Sequence, residues 1–456
     1  MDRVSLTDEY LTILAKGGAK ASELVGGQVD SALLNTFYAG KYLSRPLFLG
    51  HEEQRLLHAD LENLLTALSS LPDRLFGGDF AAFARAVGLT EIQVTAIMKG
   101  RGGSMTRQTR ADLYADGSGF KLLELNIGSA VGGMDNADMC RSLLAHPHLA
   151  GFAEERGLGF VDTLPEQVNN ILSESGFGPG DRPVVAMADW PDSFPKMRPY
   201  MELLSQRWAE LGLPEAHPCH IGQLEVRDGR VWLGEKAVDI IFRTFLIGDL
   251  LKSPEAPALM FPVLDAAERG EVKIFTPLDS AAYASKGALA MLSDEANRGL
   301  FGDGELASLD RILPWTRMVR PGPVTLETGE RVDLVEYALA HREDLALKPT
   351  SLSGGTGVVL GWAEDLGAQE WHEQITASLD GPYILQRRIR PTQELFPDET
   401  GELRPWTPLW GVFTVANGYG GAFARATPAS SGDVVVNVAN GAHAGAVFQE
   451  LAAPSS

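Results

Sequence analysis

The sequence predicts an α/β protein of two or three packed subdomains with a helical layer at its N-terminus. The chain has 456 residues, which is more than one ordinary hydrophobic core accommodates. Over the first hundred residues, apolar side chains recur every three or four positions, as in amphipathic helices. From about residue 180, a buried strand, a helix and a second buried strand follow one another, which is typical of layered α/β domains.

The composition narrows the classes of function. Hydrophobic residues make up 45% of the chain, as in globular proteins, and the formal charge is −21. A chain this acidic repels phosphate backbones and anionic membranes, so we expect neither nucleic acid nor a membrane as a partner. No apolar run approaches the roughly 20 residues of a membrane helix. The two cysteines, Cys140 and Cys219, and the absence of a secretory signal pattern predict a cytoplasmic location.

Residues 1–100 are predicted to form a helical N-terminal region. Helical spacing of apolar residues is found in LTDEYLTILAK, HADLENLLTALSSL and DFAAFARAVGL. Asp79 and Thr90 stand where N-caps are expected. No residue pattern here indicates chemistry, so we interpret the region as a layer that covers another part of the protein.

Residues 101–180 begin with a predicted β-hairpin whose turn lies at 115–119. Glu124 and Asn126 are two residues apart, which puts both on one face of a strand, and Asp112 can face the same way across the turn. Three oxygen donors on one face suit a hard cation such as Mg²⁺. Glu124 and Asn126 have apolar neighbours, where polar groups without partners are costly. A solvated sheet face with incidental acids is the alternative.

Residues 181–320 are predicted to form an α/β domain and a helical connector. PVVAMADW and VDIIFRTF are short apolar runs typical of buried parallel strands, and MRPYMELLSQRWAELGL between them has helical spacing. LEVRDGRVWLG predicts a hairpin with Asp228 and Gly229 at its turn. The stretch from Pro254 to Leu313 is predicted to be helical with short connectors.

Residues 321–456 return to β-structure, beginning with a strand, a glycine-rich loop and a second strand in DLALKPTSLSGGTGVVLGW. Lys348 ends the first strand, and Gly354, Gly355 and Gly357 follow it. Glycines let backbone N–H groups approach phosphate oxygens, and the ammonium group adds a point charge. The lysine precedes the glycines, so the segment is not a P-loop. A plain turn is the alternative.

Arginines mark the remaining predicted strands of this region. YILQRRI contains Gln386–Arg388, and Arg425 lies between small residues in GYGGAFARATP, the second strand of a predicted hairpin around Asn417 and Gly418. Arginines near a nucleotide site could bind a carboxylate or a transferred phosphoryl group. Exposed strand arginines without a function are the alternative. The histidines form no metal-binding pattern.

In the order of these motifs, residues 100–450 resemble the synthetase domain of glutathionylspermidine synthetases, a circularly permuted branch of the ATP-grasp superfamily. The resemblance rests on the Arg-x-Asp hairpin, the Glu-x-Asn strand, YASKGALAMLSD, LKPTSLSGGTG and YILQRRIRP. It implies an ATP-grasp-like fold with a three-layer α/β domain of the pre-ATP-grasp kind at 181–320. Residues 101–180 would hold the metal-binding hairpin, and 321–456 the nucleotide-binding part.

The resemblance also implies ATP and Mg²⁺ as cofactors and assigns roles to individual residues. The implied ligands of Mg²⁺ are Asp112, Glu124 and Asn126. The implied contacts of the ATP phosphates are Lys286 and Lys348, under a loop of Gly354, Gly355 and Gly357. Gln386 would lie near the adenine, and the acyl phosphate or substrate carboxylate would be contacted by Arg110 and Arg425.

Two departures from the family pattern concern the substrate. The family's Asn-Ala-Asp-Thr-Pro run is replaced here by residues 126–130, Asn-Ile-Gly-Ser-Ala, and the glycine loop lacks the arginine that the family often carries there. Both changes fall where substrate and transition state are handled, so glutathione and spermidine are not assumed as substrates.

The sequence with this resemblance predicts an ATP-dependent carboxylate–amine ligase that acts through an acyl phosphate. Its substrates would be small molecules, such as an amino acid, a peptide or a polyamine. Two alternatives stay open: a kinase of ATP-grasp type that phosphorylates a small acceptor without forming an amide, and a non-catalytic nucleotide-binding protein. Neither the individual substrates nor the oligomeric state follows from the sequence.

Overall fold

The structure is a computed structural model that describes residues 5–17, 29–352, 354–379, 381–432, 435–437 and 440–451. Within these ranges the chain is a mixed α/β protein. The described helices are α1 (Leu6–Gly17), α2 (Ala32–Tyr38), α3 (His51–Ser69), α4 (Leu71–Phe76), α5 (Phe80–Ala86), α6 (Glu91–Lys99), α7 (Asn136–Leu143), α8 (Pro147–Arg156), α9 (Thr163–Ser175), α10 (Phe194–Glu210), α11 (Ala256–Glu268), α12 (Ser280–Ala284), α13 (Lys286–Ser293), α14 (Asp303–Ile312), α15 (Leu334–Ala340) and α16 (Ala368–Ser378).

The strands belong to five sheets within the same ranges. They are β1 (Leu47–Leu49), β2 (Thr109–Ala115), β3 (Phe120–Ile127), β4 (Leu158–Gly159), β5 (Val185–Asp189), β6 (Ala216–His220), β7 (Leu224–Arg227), β8 (Arg230–Leu233), β9 (Lys236–Val238), β10 (Ile240–Arg243), β11 (Lys273–Phe275), β12 (Thr316–Met318), β13 (Pro323–Thr325), β14 (Arg331–Asp333), β15 (Leu345–Pro349), β16 (Val359–Leu360), β17 (Tyr383–Arg387), β18 (Glu394–Pro397), β19 (Leu403–Val415), β20 (Gly418–Pro428) and β21 (His443–Glu450).

The N-terminal helices begin at the predicted caps. Asp79 accepts a hydrogen bond from the backbone of Ala82 at the start of α5. Gln93 Oε1 accepts 3.0 Å hydrogen bonds from the backbone N–H and from the hydroxyl group of Thr90 at the start of α6. The region also contributes β1, a strand that was not predicted, which pairs in parallel with β21 at the end of the chain.

The central sheet unites the two β-rich parts of the sequence. Its order is β1-β21-β20-β19-β2-β3, with β18 beside β19 and β4 beside β21. Two of the predicted hairpins belong to this sheet, β2 with β3 and β19 with β20. Because β2 also pairs with β19, the two hairpins form one continuous surface. Apolar side chains such as Leu113, Val412 and Ala424 fill the buried face of this surface.

The predicted α/β unit is a four-stranded parallel sheet of order β11-β10-β5-β6. Helix α10 packs on it, with Trp208 against Phe242. The hairpin of β7 and β8 turns at Asp228 and Gly229, both of which have positive φ, as a tight hairpin turn requires. The stretch 254–313, predicted to be helical with short connectors, also contains strand β11 between α11 and α12, which extends the parallel sheet beside β10.

A smaller antiparallel sheet faces the central one. Its order is β12-β17-β15-β16, and β15 pairs along its length with β17. Trp315, Trp371 and Leu385 belong to its own apolar core. Lys348 lies on β15 and Gln386 on β17, so this sheet brings the later candidate residues opposite the β2–β3 hairpin.

Candidate active site

The candidate residues meet in a cleft of about 960 Å³ between the central sheet and the smaller antiparallel sheet. Side chains from β2, β3, β15, β17 and β20 line it, together with Gly354 and Gly355. Among the described residues that line the cleft, seven are basic and four are acidic, whereas the whole chain has a charge of −21. The cleft is therefore a local basic site in an acidic protein, which favours an anionic ligand.

The register of the β2–β3 hairpin brings the first group of candidates together. Arg110 lies directly opposite Asn126, and Asp112 lies directly opposite Glu124. Positions two apart on a strand share a face, so all four side chains are on the same side of the sheet. This confirms the predicted common face of Asp112, Glu124 and Asn126.

Two arginines hold Asp112. Arg110 Nε lies 2.7 Å from Asp112 Oδ1, and Arg425 Nη2 lies 2.9 Å from Asp112 Oδ2. Burial opposes the charge of Asp112, but Arg110 and Arg425 outweigh it and lower the pKa of this carboxyl group. Arg425 is 9% exposed, and its Nε is buried without a partner among the described residues. Two guanidinium groups on one carboxylate leave a net positive charge for a ligand.

Lys286 and Glu124 form the second ion pair. Lys286 Nζ lies 2.9 Å from Glu124 Oε2 and donates a 2.9 Å hydrogen bond to the carbonyl of Leu352. Lys286 is the first residue of α13, which Ser285 caps by accepting a 3.1 Å hydrogen bond from the backbone N–H of Gly287. A side chain at Gly287 would meet the backbone of Val87, so this helix start packs tightly against the N-terminal helices.

Lys348 is buried, with 7% of its surface exposed. It donates a 2.5 Å hydrogen bond to Gln386 Oε1, and Gln386 Nε2 donates to Thr316 Oγ1 at 3.4 Å. The pKa of Lys348 is lowered to about 8, mainly by burial and also by the charge of Lys286, while the charge of Glu124 opposes the shift. Among the described residues, no carboxylate forms an ion pair with this ammonium group, and such a group suits an incoming phosphate. The amide of Gln386 is thus engaged by neighbouring side chains. Its expected place near an adenine stays a prediction.

The glycine-rich loop uses the conformational freedom of its glycines. Gly354, Gly355 and Gly357 have φ values of 67°, 81° and 71°, which side chains rarely adopt. Asn437 Nδ2 donates a 3.0 Å hydrogen bond to the carbonyl of Gly354. A side chain at Gly355 would lie 2.6 Å from Val435. Gly354 and Gly355 line the cleft, whereas Gly357 packs against Pro349.

The oxygen donors on the hairpin fit Mg²⁺ in part. Glu124 and Asn126 offer a carboxylate and an amide oxygen, which are hard donors of the kind that Mg²⁺ takes. Asp112 differs, because both of its oxygens accept hydrogen bonds from guanidinium groups. It could bind a metal only by releasing one of these guanidinium groups. No cluster of three or more His, Cys, Asp and Glu side chains among the described residues is arranged for a metal ion. A magnesium site here therefore depends on the amide of Asn126.

One wall of the cleft was not predicted from the sequence; it is formed by residues that come directly after the glycine loop in the chain. Trp362, Glu364 and Asp365 line this wall. The guanidinium group of Arg388 lies over the Trp362 ring at 4.4 Å from its centroid. Trp362 is the last residue of the predicted segment DLALKPTSLSGGTGVVLGW, and an aromatic residue beside a polar loop was the available signal.

Comparisons with known proteins agree with the fold. No family model and no curated protein sequence matches the chain. A solved structure of a glutathione synthetase-like effector from Globodera pallida, in its apo form, matches with a TM-score of 0.57 and 11% identity over 97% of this chain and 96% of that one. A putative gamma-glutamylcysteine synthetase from Methylobacillus flagellatus matches with a TM-score of 0.38 and 14% identity over 81% of each chain.

The first match shows that nearly the whole chain shares the fold of a synthetase-like protein, and at 11% identity it shows the fold alone. It agrees with the expected ATP-grasp-like fold, while the expected likeness to glutathionylspermidine synthetases in particular stays a prediction. The second match, with its low TM-score, supports no argument. Among the described helices, none combines the length and the apolar character that crossing a membrane requires.

Proposed function

We propose that the chain is an ATP-dependent ligase that joins a carboxylate to an amine. The observation that supports this proposal most is the convergence of Lys286, Lys348, Arg110 and Arg425 on one cleft. Asp112 and Arg425 are 313 positions apart in the sequence, yet they form an ion pair there. Four basic side chains, gathered from distant segments of an acidic chain, favour a ligand with several negative charges.

The cleft divides into a phosphate end and a carboxylate end. Lys286 and Lys348 would bind the phosphates of ATP beneath the glycine loop. Glu124 and Asn126 would hold Mg²⁺, which supplies positive charge to the transferred phosphoryl group. Arg110 and Arg425 would orient the carboxylate, since a guanidinium group matches a carboxylate or a phosphoryl group with two parallel hydrogen bonds.

The reaction then follows from these positions. A carboxylate oxygen attacks the γ-phosphorus of ATP, the bond to ADP breaks, and an acyl phosphate forms. The amine nitrogen attacks the acyl carbon, phosphate leaves with the bonding electrons, and the nitrogen loses a proton. Arg110 and Arg425 would stabilise the negative charge that develops on the oxygens during both steps.

A test separates this proposal from phosphorylation without amide formation. ATP with Mg²⁺ is expected to raise the melting temperature of the protein, because a ligand of the native state stabilises it. ADP release, screened over pooled amino acids, small peptides and polyamines, is then expected to require a carboxylate and an amine together. A stable phosphorylated acceptor formed without amine would identify a kinase, and the absence of any Mg-ATP effect on melting would overturn the nucleotide site.

A further inference from the structure

A chain of hydrogen bonds runs across the smaller antiparallel sheet and ends in the cleft. Its members are Thr316 on β12, Gln386 on β17 and Lys348 on β15. In the register of the strands, Gln386 lies directly opposite Thr316 on one side and Ala346 on the other. Lys348 is two residues beyond Ala346 on the same strand and therefore shares its face of the sheet. The three polar side chains thus stand together on one face.

The donors and acceptors along this chain fix the orientation of the Gln386 amide. The hydroxyl group of Thr316 donates a 2.8 Å hydrogen bond to the carbonyl of Pro314. Since this uses its single proton, Thr316 Oγ1 can only accept, and Gln386 Nε2 is the group that donates to it. At the other end, the ammonium group of Lys348 can only donate. Its 2.5 Å contact is therefore with the amide oxygen of Gln386, and both ends require the same orientation.

Two contacts hold the Lys348 ammonium group in the cleft. One is the hydrogen bond to Gln386, and the other joins Lys348 Nζ to the carbonyl oxygen of Leu123 at 3.5 Å, on the opposite wall. An ammonium group has three N–H donors, so these contacts leave one of them for a ligand. Leu123 contributes its backbone. Within the described part of the chain, Gln386 is therefore the side chain that sets the direction of the remaining donor.

The position of Gln386 suits this supporting task. Gln386 is 1% exposed, and Thr316 behind it is fully buried. A lysine side chain has many rotamers, and confining it to one of them costs conformational free energy. An acceptor that is itself fixed by the sheet meets this cost before the ligand arrives, which favours binding.

We propose that Gln386, held by Thr316, is a positioning residue that directs the Lys348 ammonium group at the phosphates of the nucleotide and does not select its base. As an account of nucleotide binding, this rests on the proposed ligase function. It assigns Gln386 a role that is exerted through Lys348, which differs from a direct contact with the adenine.

A double-mutant cycle on Mg-ATP binding, measured by calorimetry, tests the inference. Gln386→Met removes the acceptor at similar side-chain volume and is expected to weaken binding about three- to tenfold, as the loss of one hydrogen bond does. In the Lys348→Met background, the same substitution should change the affinity by less than about twofold, because the group that it positions is already absent. A loss by the same factor in both backgrounds overturns the inference, and so does full affinity of Gln386→Met.

Magnesium tripolyphosphate, which has no base, is the second probe. Gln386→Met is expected to weaken its binding by the same factor as that of Mg-ATP, and a loss confined to Mg-ATP would show base recognition and overturn the inference. Thr316→Val is the second variant. It removes the acceptor of Gln386 Nε2 at a buried position outside the lining of the cleft, so it should weaken binding of both probes to a smaller extent. Unchanged affinity of Thr316→Val overturns the role of Thr316.

Urea unfolding of the same samples separates positioning from a purely structural role. A structural role would lower the free energy of unfolding of Gln386→Met but leave the affinity of the folded protein unchanged, which would overturn the inference. Gln369→Met, the same change at an exposed position of α16 outside the cleft, is the matched control and should bind both probes like the wild type. A wild-type chain that binds neither probe counts against the ligase function as well, whereas binding with the wrong pattern among the variants counts against this inference alone.

Discussion

The Nζ atom of Lys286 lies 2.9 Å from the Oε2 atom of Glu124. The lysine side chain is 7% exposed and the glutamate side chain 20%, so the pair is largely shielded from water. In the protein without its substrates, Lys286, a candidate for binding phosphate, thereby neutralises Glu124, a candidate for binding the metal. Binding of Mg-ATP would replace this pair with one contact from each side chain to the nucleotide and its metal.

Substitution of Glu124 by Gln is expected to reduce ADP release about 100-fold or more, because it removes an anionic donor from the site of phosphoryl transfer. The glutamine oxygen can still accept a hydrogen bond from Lys286, so the free energy of unfolding should fall by only about 1–2 kcal/mol. Coupled ADP assays and urea unfolding measure the two effects. Glu364→Gln, at an exposed position of the same cleft, is the control and should leave both unchanged. Full activity of Glu124→Gln would contradict the metal assignment.

Substitution of Asp112 by Asn is expected to lower the free energy of unfolding by about 3–5 kcal/mol at pH 7, because two buried guanidinium groups lose their counter-charge. The pKa of Asp112 is lowered in the folded protein, so its stabilisation is present above the ordinary carboxyl pKa and is lost as the pH falls through the folded value. The difference from the wild type should therefore shrink below about pH 4. Urea unfolding at pH 7 and pH 3.5 measures it, with exposed Asp365→Asn as the control. Equal stability at pH 7 would show that Asp112 is not the anchor of Arg110 and Arg425.

Lys348→Met is expected to weaken Mg-ATP binding ten- to a hundredfold at pH 7, since a charge-assisted hydrogen bond contributes about 1.5–3 kcal/mol. The pKa of Lys348 is about 8. Its ammonium is thus lost as the pH rises above 8, and the two proteins should bind Mg-ATP more nearly alike at pH 9.5. Calorimetric titrations at both pH values measure this. A difference in affinity that does not change with pH would contradict a role for the Lys348 charge.

The same pKa has a consequence for stability, with the same direction of pH dependence as that of Asp112 but in an alkaline window. The unfolded chain holds the Lys348 proton up to about pH 10.4, so between pH 8 and 10 it binds more protons than the folded chain at this position. The contribution of Lys348 to stability should therefore rise with pH across this window. In urea unfolding, the stability of the wild type relative to Lys348→Met should increase from pH 7.5 to pH 9.5, and a decrease would contradict the burial of the charged form.

Alanine substitutions in the glycine loop are expected to differ by position. Gly354 and Gly355 both have positive φ, so each substitution costs about 1–2 kcal/mol in backbone strain. Only at Gly355 would the new Cβ atom also lie 2.6 Å from Val435, whereas the space at Gly354 is open among the described residues. Gly355→Ala should therefore weaken Mg-ATP binding more than Gly354→Ala does, as compared by calorimetry. Equal losses would show that contact with Val435 does not position the loop.

The local elements of this fold were predictable because their causes are local. The turn at Asp228 and Gly229 and the hairpin of β19 and β20 follow from glycine-containing turns between apolar runs, and the structure has both. The common face of Glu124 and Asn126 follows from the two-residue period of a strand. Strand β11 was not predicted, because three residues are too few to show a period and its parallel partner, β10, lies elsewhere in the chain.

The sequence by itself determined which residue types were available for the site and the local geometry of each motif. Hydrogen bonds between near neighbours set turns and caps, and the two-residue period of a strand sets its faces. Only the tertiary structure decided which motifs meet. Arg425 reaches Asp112 because β19 pairs with β2 on one edge and with β20 on the other. The order of strands in a sheet depends on the packing of whole faces against one another, and no short pattern in the chain encodes it. For the same reason, the place of the loop at Gly132 and Gly133 beside Arg110 could not be predicted, because Arg110 and Phe423 contact that loop from other parts of the chain.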